Sequence, residues 1–132
     1  MNKILTAVEG ETGIEYISNP YSAKTKQILK YNGLEIDSIY RIVRTNGTEI
    51  ELTNYEFGIL YLLARNPGQV FSREQIYTHV WSSPYYGAED NVMSLIRRIR
   101  KKIEPDPARP TYILTVWGVG YRFNPHVARQ TI

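Results

Sequence analysis

The chain contains no cysteine, and of its residues only His79 and His126 are histidines. Disulfides and thiolate metal sites are therefore excluded, and a reducing, cytoplasmic setting is permitted. Neither histidine has a partner at ligand-like or triad-like spacing, so neither a metal centre nor a nucleophilic triad is expected. Long apolar runs are missing as well. No stretch approaches the roughly 18 residues of a membrane span. Glu9 and Glu11 interrupt the N-terminal MNKILTAVEGETG where a signal peptide needs an apolar centre. Gly118-Val119-Gly120 lacks the third glycine of a dinucleotide fingerprint. Acid pairs such as Glu35/Asp37 and Glu49/Glu51 fall on short exposed strands, where solvation explains them better than catalysis. An enzyme is not expected, no cofactor is called for, and no membrane partner is indicated.

What is present suits one soluble domain with a modest core. A net charge of +3 and a pI near 9.1 lean only mildly towards an anionic partner. The local excess says more. Between Arg97 and Lys102 five of six residues are basic. Wound as a helix, Asp90 to Glu104 places Val92, Ile96, Ile99 and Ile103 on one narrow stripe. Asn91, Ser94, Arg97, Arg98 and Lys101 gather opposite, with Arg100 and Lys102 on the shoulders. Asp90 at the start and Lys101 and Lys102 at the end both suit the helix dipole. Two readings fit this stretch alone: a solvated amphipathic helix, or a helix held by its aliphatic stripe that offers a cationic face to a polyanion.

The rest of the chain supplies the context. Residues 1–27 show neither a helical stripe nor a long alternation, and are expected to be a short extension. Leu29 to Tyr31 and Leu34 to Asp37 read as strands about Asn32-Gly33, a type I′ turn signal. Ile39 to Val43 is strand-prone, Asn46-Gly47 marks another turn, and Glu49 to Leu52 alternates. Thr53 with Glu56, and Ser72 with Gln75, have capping-box spacing, so helices are expected from Asn54 to Arg65 and after Ser72. Gly58, inside the first, implies close packing. In the second, Ile76, Val80 and Trp81 point inward. Ser82 to Ala88 is a loop by its Pro and Gly content. The cationic helix comes third and stops at Glu104-Pro105-Asp106-Pro107. Two β-prone runs, Tyr112 to Val116 and Tyr121 to Phe123, then flank a Gly-rich turn and read as a hairpin. The predicted fold is α+β: a four-stranded antiparallel sheet, three helices and a hairpin wing, which is a winged helix-turn-helix over residues 28–124. Residues 125–132 read as a frayed C-terminal tail.

The wording of the sequence also resembles the effector domain of OmpR/PhoB-type response regulators, from about Leu29 to Phe123. The resemblance is carried by Leu52 to Phe57, Leu62 to Val70, Ser72 to Ile76, Val80-Trp81, Arg97 to Ile103, Thr115-Val116 and Gly118 to Phe123. It implies promoter binding to double-stranded DNA, often as a tandem pair on direct repeats, and control of transcription within a two-component phosphorelay. It assigns Arg73 and the rest of the second helix to positioning, and Asp90 to Ile103 to recognition. Arg98 becomes the candidate base reader, through a bidentate guanine contact. Arg97, Arg100 and Lys101 become phosphate holders. Asn91, Ser94 and Leu95 lie on the implied recognition surface, and Thr115, Trp117 and Tyr121 at wing positions that approach DNA. The loop Ser82, Ser83, Pro84, Tyr85, Tyr86, Gly87 is implied to touch RNA polymerase.

The sequence departs from that pattern in four places. Leu95 and Ser94 stand where many members carry His and Val. Trp117 stands where an Arg commonly enters the minor groove. It can stack on a sugar, pack on a partner domain, or support the hairpin. Residues 1–27 are too short for the receiver domain of about 120 residues that usually precedes. The expectation is therefore either an effector domain separated from its receiver or a stand-alone regulator. The rival from another class is a winged helix used for protein interaction, which Trp117 and Tyr85-Tyr86 suggest and the basic face opposes.

Overall fold

The computed structural model describes residues 28–82 and 89–130, with Glu89 and Asp90 as backbone only. The expectations for residues 1–27 and for most of the loop after Ser82 fall outside those residues. Period-two alternation turns Leu29, Tyr31, Leu34, Ile36 and Val43 inward from three of four short strands: β1 (Ile28–Tyr31), β2 (Leu34–Asp37), β3 (Ile42–Thr45) and β4 (Thr48–Ile50). They pair antiparallel in chain order, and the register puts Leu29 opposite Ile36, Ile36 opposite Val43, and Val43 opposite Ile50.

Two details of this sheet differ from expectation. At Asn46-Gly47 both residues take positive φ, 49° and 83°, as a type I′ turn requires. At Asn32-Gly33 only the glycine does, with φ 81°, the pattern of a type II turn. Tertiary contacts select it. The Asn32 N–H donates to the Ala128 carbonyl at 2.9 Å, and the Tyr112 hydroxyl donates to the Asn32 carbonyl at 2.7 Å. The third strand also starts three residues later than its β-prone sequence suggests. Asp37 Oδ1 accepts from the backbone N–H groups of Ile39 and Tyr40, at 2.9 and 3.1 Å, and Arg41 follows at φ 55°. The short acid thus diverts a strand-prone run into a turn.

Both capping boxes form as their spacing predicts. Thr53 Oγ1 accepts from the Glu56 N–H and Glu56 Oε1 accepts from the Thr53 N–H, opening α1 (Asn54–Ala64). Ser72 and Gln75 do the same for α2 (Arg73–Trp81). A Cβ on Gly58 would lie 3.0 Å from Val80 Cγ1, so the glycine sets the close approach of α1 and α2. Ile76 is fully buried; Val80 and Trp81 are half-buried, and Trp81 stacks between Tyr55 and Tyr77. α3 (Glu89–Ile103) closes the three-helix unit. β5 (Ile113–Val116) and β6 (Gly120–Phe123) make the wing. Ile36, Ile59, Leu60, Leu63, Ile76, Ile96, Ile99, Ile113 and Phe123 form one shared core, joining sheet, helices and wing.

The wing is held at its base. Phe71 and Tyr121 exchange backbone hydrogen bonds of 2.8 and 2.9 Å, and a Cβ on Gly120 would collide with the Phe71 carbonyl oxygen. Only glycine permits that contact. The fraying expected of residues 125–132 is not what the structure has at 128–130: the Gln130 N–H donates to the Lys30 carbonyl at 2.7 Å, and Tyr31 bridges Arg129. Residues 128–130 thus cover the outer edge of β1, which would otherwise expose unpaired backbone.

Glu56, 1% exposed, also accepts from Lys102 Nζ at 2.7 Å and so fastens α3 to α1. Burial pushes its carboxyl up, but Lys102 and the Thr53 backbone and hydroxyl outweigh that and hold it below its ordinary 4.5. Its contribution to stability is therefore whole above pH 4.5 and is lost as the pH falls through the lower folded value. Glu56→Gln should cost on the order of 1–3 kcal/mol at pH 7. Urea denaturation across a pH series should show the gap to the parent closing on acidification. A gap that stays constant down to the lowest pH would contradict this role.

Candidate nucleic-acid interface

α3 is amphipathic in the way its sequence implies, with one addition. Val92, Ile96, Ile99 and Ile103 are buried, and Leu95 joins them at 9% exposure. Leu95 therefore belongs to the core and does not reach a ligand surface; a leucine there adds to the apolar stripe what a polar residue would present outward. Asn91, Arg97, Arg98 and Lys101 are exposed and Ser94 is half-buried. Among the described residues, Arg97, Arg98 and Lys101 have no ion-pair partner.

Arg100 behaves differently from its neighbours. Its guanidinium donates to the Ile113 carbonyl from Nε (3.3 Å) and Nη2 (3.0 Å), and from Nη2 to Thr115 Oγ1 (2.8 Å). Its charge centre also lies 5.6 Å from the centre of the Tyr121 ring. Burial lowers its pKa, with Tyr121 and Glu104 opposing. The expected phosphate holder is thus a strut between α3 and β5, because its neighbours on the helix turn outward while its own position faces the wing. Lys102, on the other shoulder, is taken by Glu56.

A second strut was not legible as such. Glu104, 7% exposed, accepts from the backbone N–H of Thr111 at 2.6 Å, of Tyr112 at 3.0 Å, and of Ile113 at 2.8 Å. An acid at the C-terminal end of a helix opposes the macrodipole. That mismatch is the sequence signal that Glu104 has work elsewhere. Together Glu104 and Arg100 satisfy donors and acceptors of the strand entering the wing, and fix its height against α3.

Two adjoining clefts result. One, of about 300 Å³, lies between α3 and the wing and is lined by Met93, Arg97, Arg100, Lys101, Thr115, Trp117 and Tyr121 among others. The next, of about 260 Å³, adds Arg73 and the turn from Gly118 to Gly120. Arg73 Nη1 donates to Met93 Sδ at 2.9 Å, which ties α2 to α3 at the rim. The structure thus gathers Arg73, Arg97, Lys101, Thr115, Trp117 and Tyr121 around one trough. Asn91, Ser94 and Arg98 do not line it; they stand on the outer face of α3. Thr115 and Tyr121 are half-buried and committed to internal contacts. Trp117 is 89% exposed beside Gly118 at φ 78°, so it does not support the hairpin. Ser82 ends α2 at φ 55° and is exposed; residues 83–87 lie outside the described region. No helix here is long and apolar enough to cross a membrane, and no metal-holding cluster stands among the described residues.

The arrangement of sheet, three helices and wing is shared with known proteins. The family described as "Transcriptional regulatory protein, C terminal" matches residues 47–123. The chain belongs to this family. Members similar to it include the Bacillus subtilis transcriptional regulatory protein ResD, 38% identical over 75% of this chain and 42% of that protein. The Bacillus subtilis regulator YcbL is 40% identical over 77% of this chain and 46% of its own length. The chain therefore spans less than half of each of those two relatives. Among solved structures, the Thermotoga maritima response regulator DrrB, an OmpR/PhoB homologue, superposes with a TM-score of 0.70 at 37% identity, covering 84% of this chain and 55% of that one. The DNA-binding domain of Klebsiella pneumoniae RstA, in complex with the RstA box, gives 0.69 at 31% identity, over 76% of this chain and 99% of that one. The four-stranded sheet, three helices and wing are the winged helix-turn-helix of this family.

If Glu104 sets the wing, its removal should cost far more than loss of an exposed cation. Glu104→Ala should destabilise the fold by about 3 kcal/mol, since buried N–H groups lose a charged acceptor. Lys101→Ala should stay within about 0.5 kcal/mol of the parent. Equal midpoints for the two variants in urea denaturation would show that Glu104 is not a strut.

Proposed function

We propose that this chain binds double-stranded DNA in a sequence-specific manner and regulates transcription, as the output domain of a two-component response regulator or of a stand-alone relative. The observation that carries the proposal is the exposed cationic face of Arg97, Arg98 and Lys101 on α3, without an ion-pair partner among the described residues, next to the trough under the wing. An α-helix fits the major groove, and such a face meets its phosphate walls. The RstA domain, which shares this fold, is seen with its DNA box, and the AdeR DNA-binding domain with an intercistronic region. Both support the reading.

In this arrangement Arg98, on the outer face, reads a base edge. Arg97, Lys101 and Arg73 hold phosphates along the trough, while Asn91 and Ser94 fill the groove floor between them. Thr115 and Tyr121 shape the wall from which the wing leans over the strand. A tandem pair on direct repeats, contact of the 82–87 loop with RNA polymerase, and a cytoplasmic location belong to the same proposal. The exposed Trp117 and Val119 favour a second reading, a protein-interaction module. The cations lining the trough favour DNA.

Arg98→Ala should weaken binding by about 1–3 kcal/mol and relax preference at one base pair. Lys101→Ala should weaken binding evenly across sequences and flatten the salt dependence by about one. Anisotropy titrations of duplexes enriched from a random pool, at several salt concentrations, separate the two. If Arg98→Ala keeps the parent's base preference intact, Arg98 is not the reader.

A further inference from the structure

The tip of the wing carries no charge. From Val116 to Gly120 the residues are Val, Trp, Gly, Val and Gly, with Trp117 89% and Val119 57% exposed. A large indole left in water at the lip of these clefts is the kind of exposure that signals a contact surface. The tip is also rigid. Val116 pairs with Gly120, the Val119 N–H donates to the Val116 carbonyl at 2.9 Å, and the wing's base is fixed through Phe71 and Arg100. The indole is therefore presented without a loop that must first be ordered.

The cations stand one layer behind. Arg73, Arg97 and Lys101 line the clefts between α3 and the wing. A sugar–phosphate strand seated there has the major groove, with α3, on one side. Crossing that one strand leads to the minor groove, under Trp117. What the tip of the wing offers the minor groove is thus an apolar plane and not a cation. Such a group adds nothing to counterion release. It acts by packing on sugars or by wedging between base pairs, which partly unstacks and kinks the duplex. We propose that Trp117 is a minor-groove wedge, and that this chain selects duplexes with an easily unstacked pyrimidine–purine step, TA or CA/TG, beneath the wing. The inference rests on the DNA-binding function proposed above. It adds a source of sequence preference that needs no hydrogen bond to a base.

The test uses the full chain and an enriched duplex in which a TA step under the wing is either kept or replaced by stiff AA. The adenine at the step is replaced in turn by 2-aminopurine, whose fluorescence rises on unstacking, and end labels report the bend. The parent should prefer the TA duplex about tenfold, bend it, and brighten the probe. Trp117→Ala, at an exposed position, should fold normally, lose about tenfold in affinity for the TA duplex, and lose the preference, bend and brightening, with the salt slope unchanged. Trp117→Arg should steepen the slope by about one and favour the narrow groove of the AA duplex. If Trp117→Ala keeps the step preference and the fluorescence rise, the wedge is wrong while DNA binding stands. A loss of affinity with bend and preference unchanged overturns it too. If the parent binds no duplex at any salt concentration, the wedge and the proposed function fall together.

Discussion

The buried carboxylate of Glu104 and the guanidinium of Arg100 set the relation between the third helix and the wing. One accepts from three backbone N–H groups at the entry to β5; the other donates to the Ile113 carbonyl and the Thr115 hydroxyl. Hydrogen bonds to charged groups contribute about 1.5–3 kcal/mol each, more than neutral ones. They are also directional, which apolar packing of Ile99 and Ile103 is not. Packing decides that the helix and the wing lie together; these two charged side chains decide at what height. The trough between Arg97, Lys101 and Trp117 has its width because of them.

The same logic sorts the basic run on α3. Five cations stand within six residues, yet they do three kinds of work. Arg100 and Lys102 spend their charge on the protein itself, on the wing and on Glu56. Arg97 and Lys101 line the trough. Arg98 faces outward away from it. An exposed cation contributes little to folding, and for that reason remains available to a polyanion. A charge run that looks uniform in sequence is thus divided by helical position into struts and exposed charges.

Much of this was legible in the residues. The caps at Thr53 and Ser72 could be read because a hydroxyl at the N-cap and an acid or amide three residues later have one local solution. The stripe from Val92 to Ile103 could be read because helical period and burial coincide. What could not be read depended on residues distant in sequence. The Asn32-Gly33 turn took its form from Tyr112 and Ala128, about 80 and 96 positions away. The C-terminal residues lacked any signal of order because their partner is the bare edge of β1. The resemblance puts Leu95 on the recognition surface, while its own side chain belongs to the core. Glu104 looked like part of a helix stop, although its clash with the dipole hinted otherwise.

The central claim is that the outward face of α3 reads duplex DNA. The measurement that tests it most directly is selection of bound duplexes from a random pool by the full chain, sequenced at two salt concentrations. Enrichment of a defined half-site, repeated about one helical turn apart, with affinity falling steeply as salt rises, is the predicted result. Recovery of an unenriched pool, or of nothing above background at the lower salt, would contradict it.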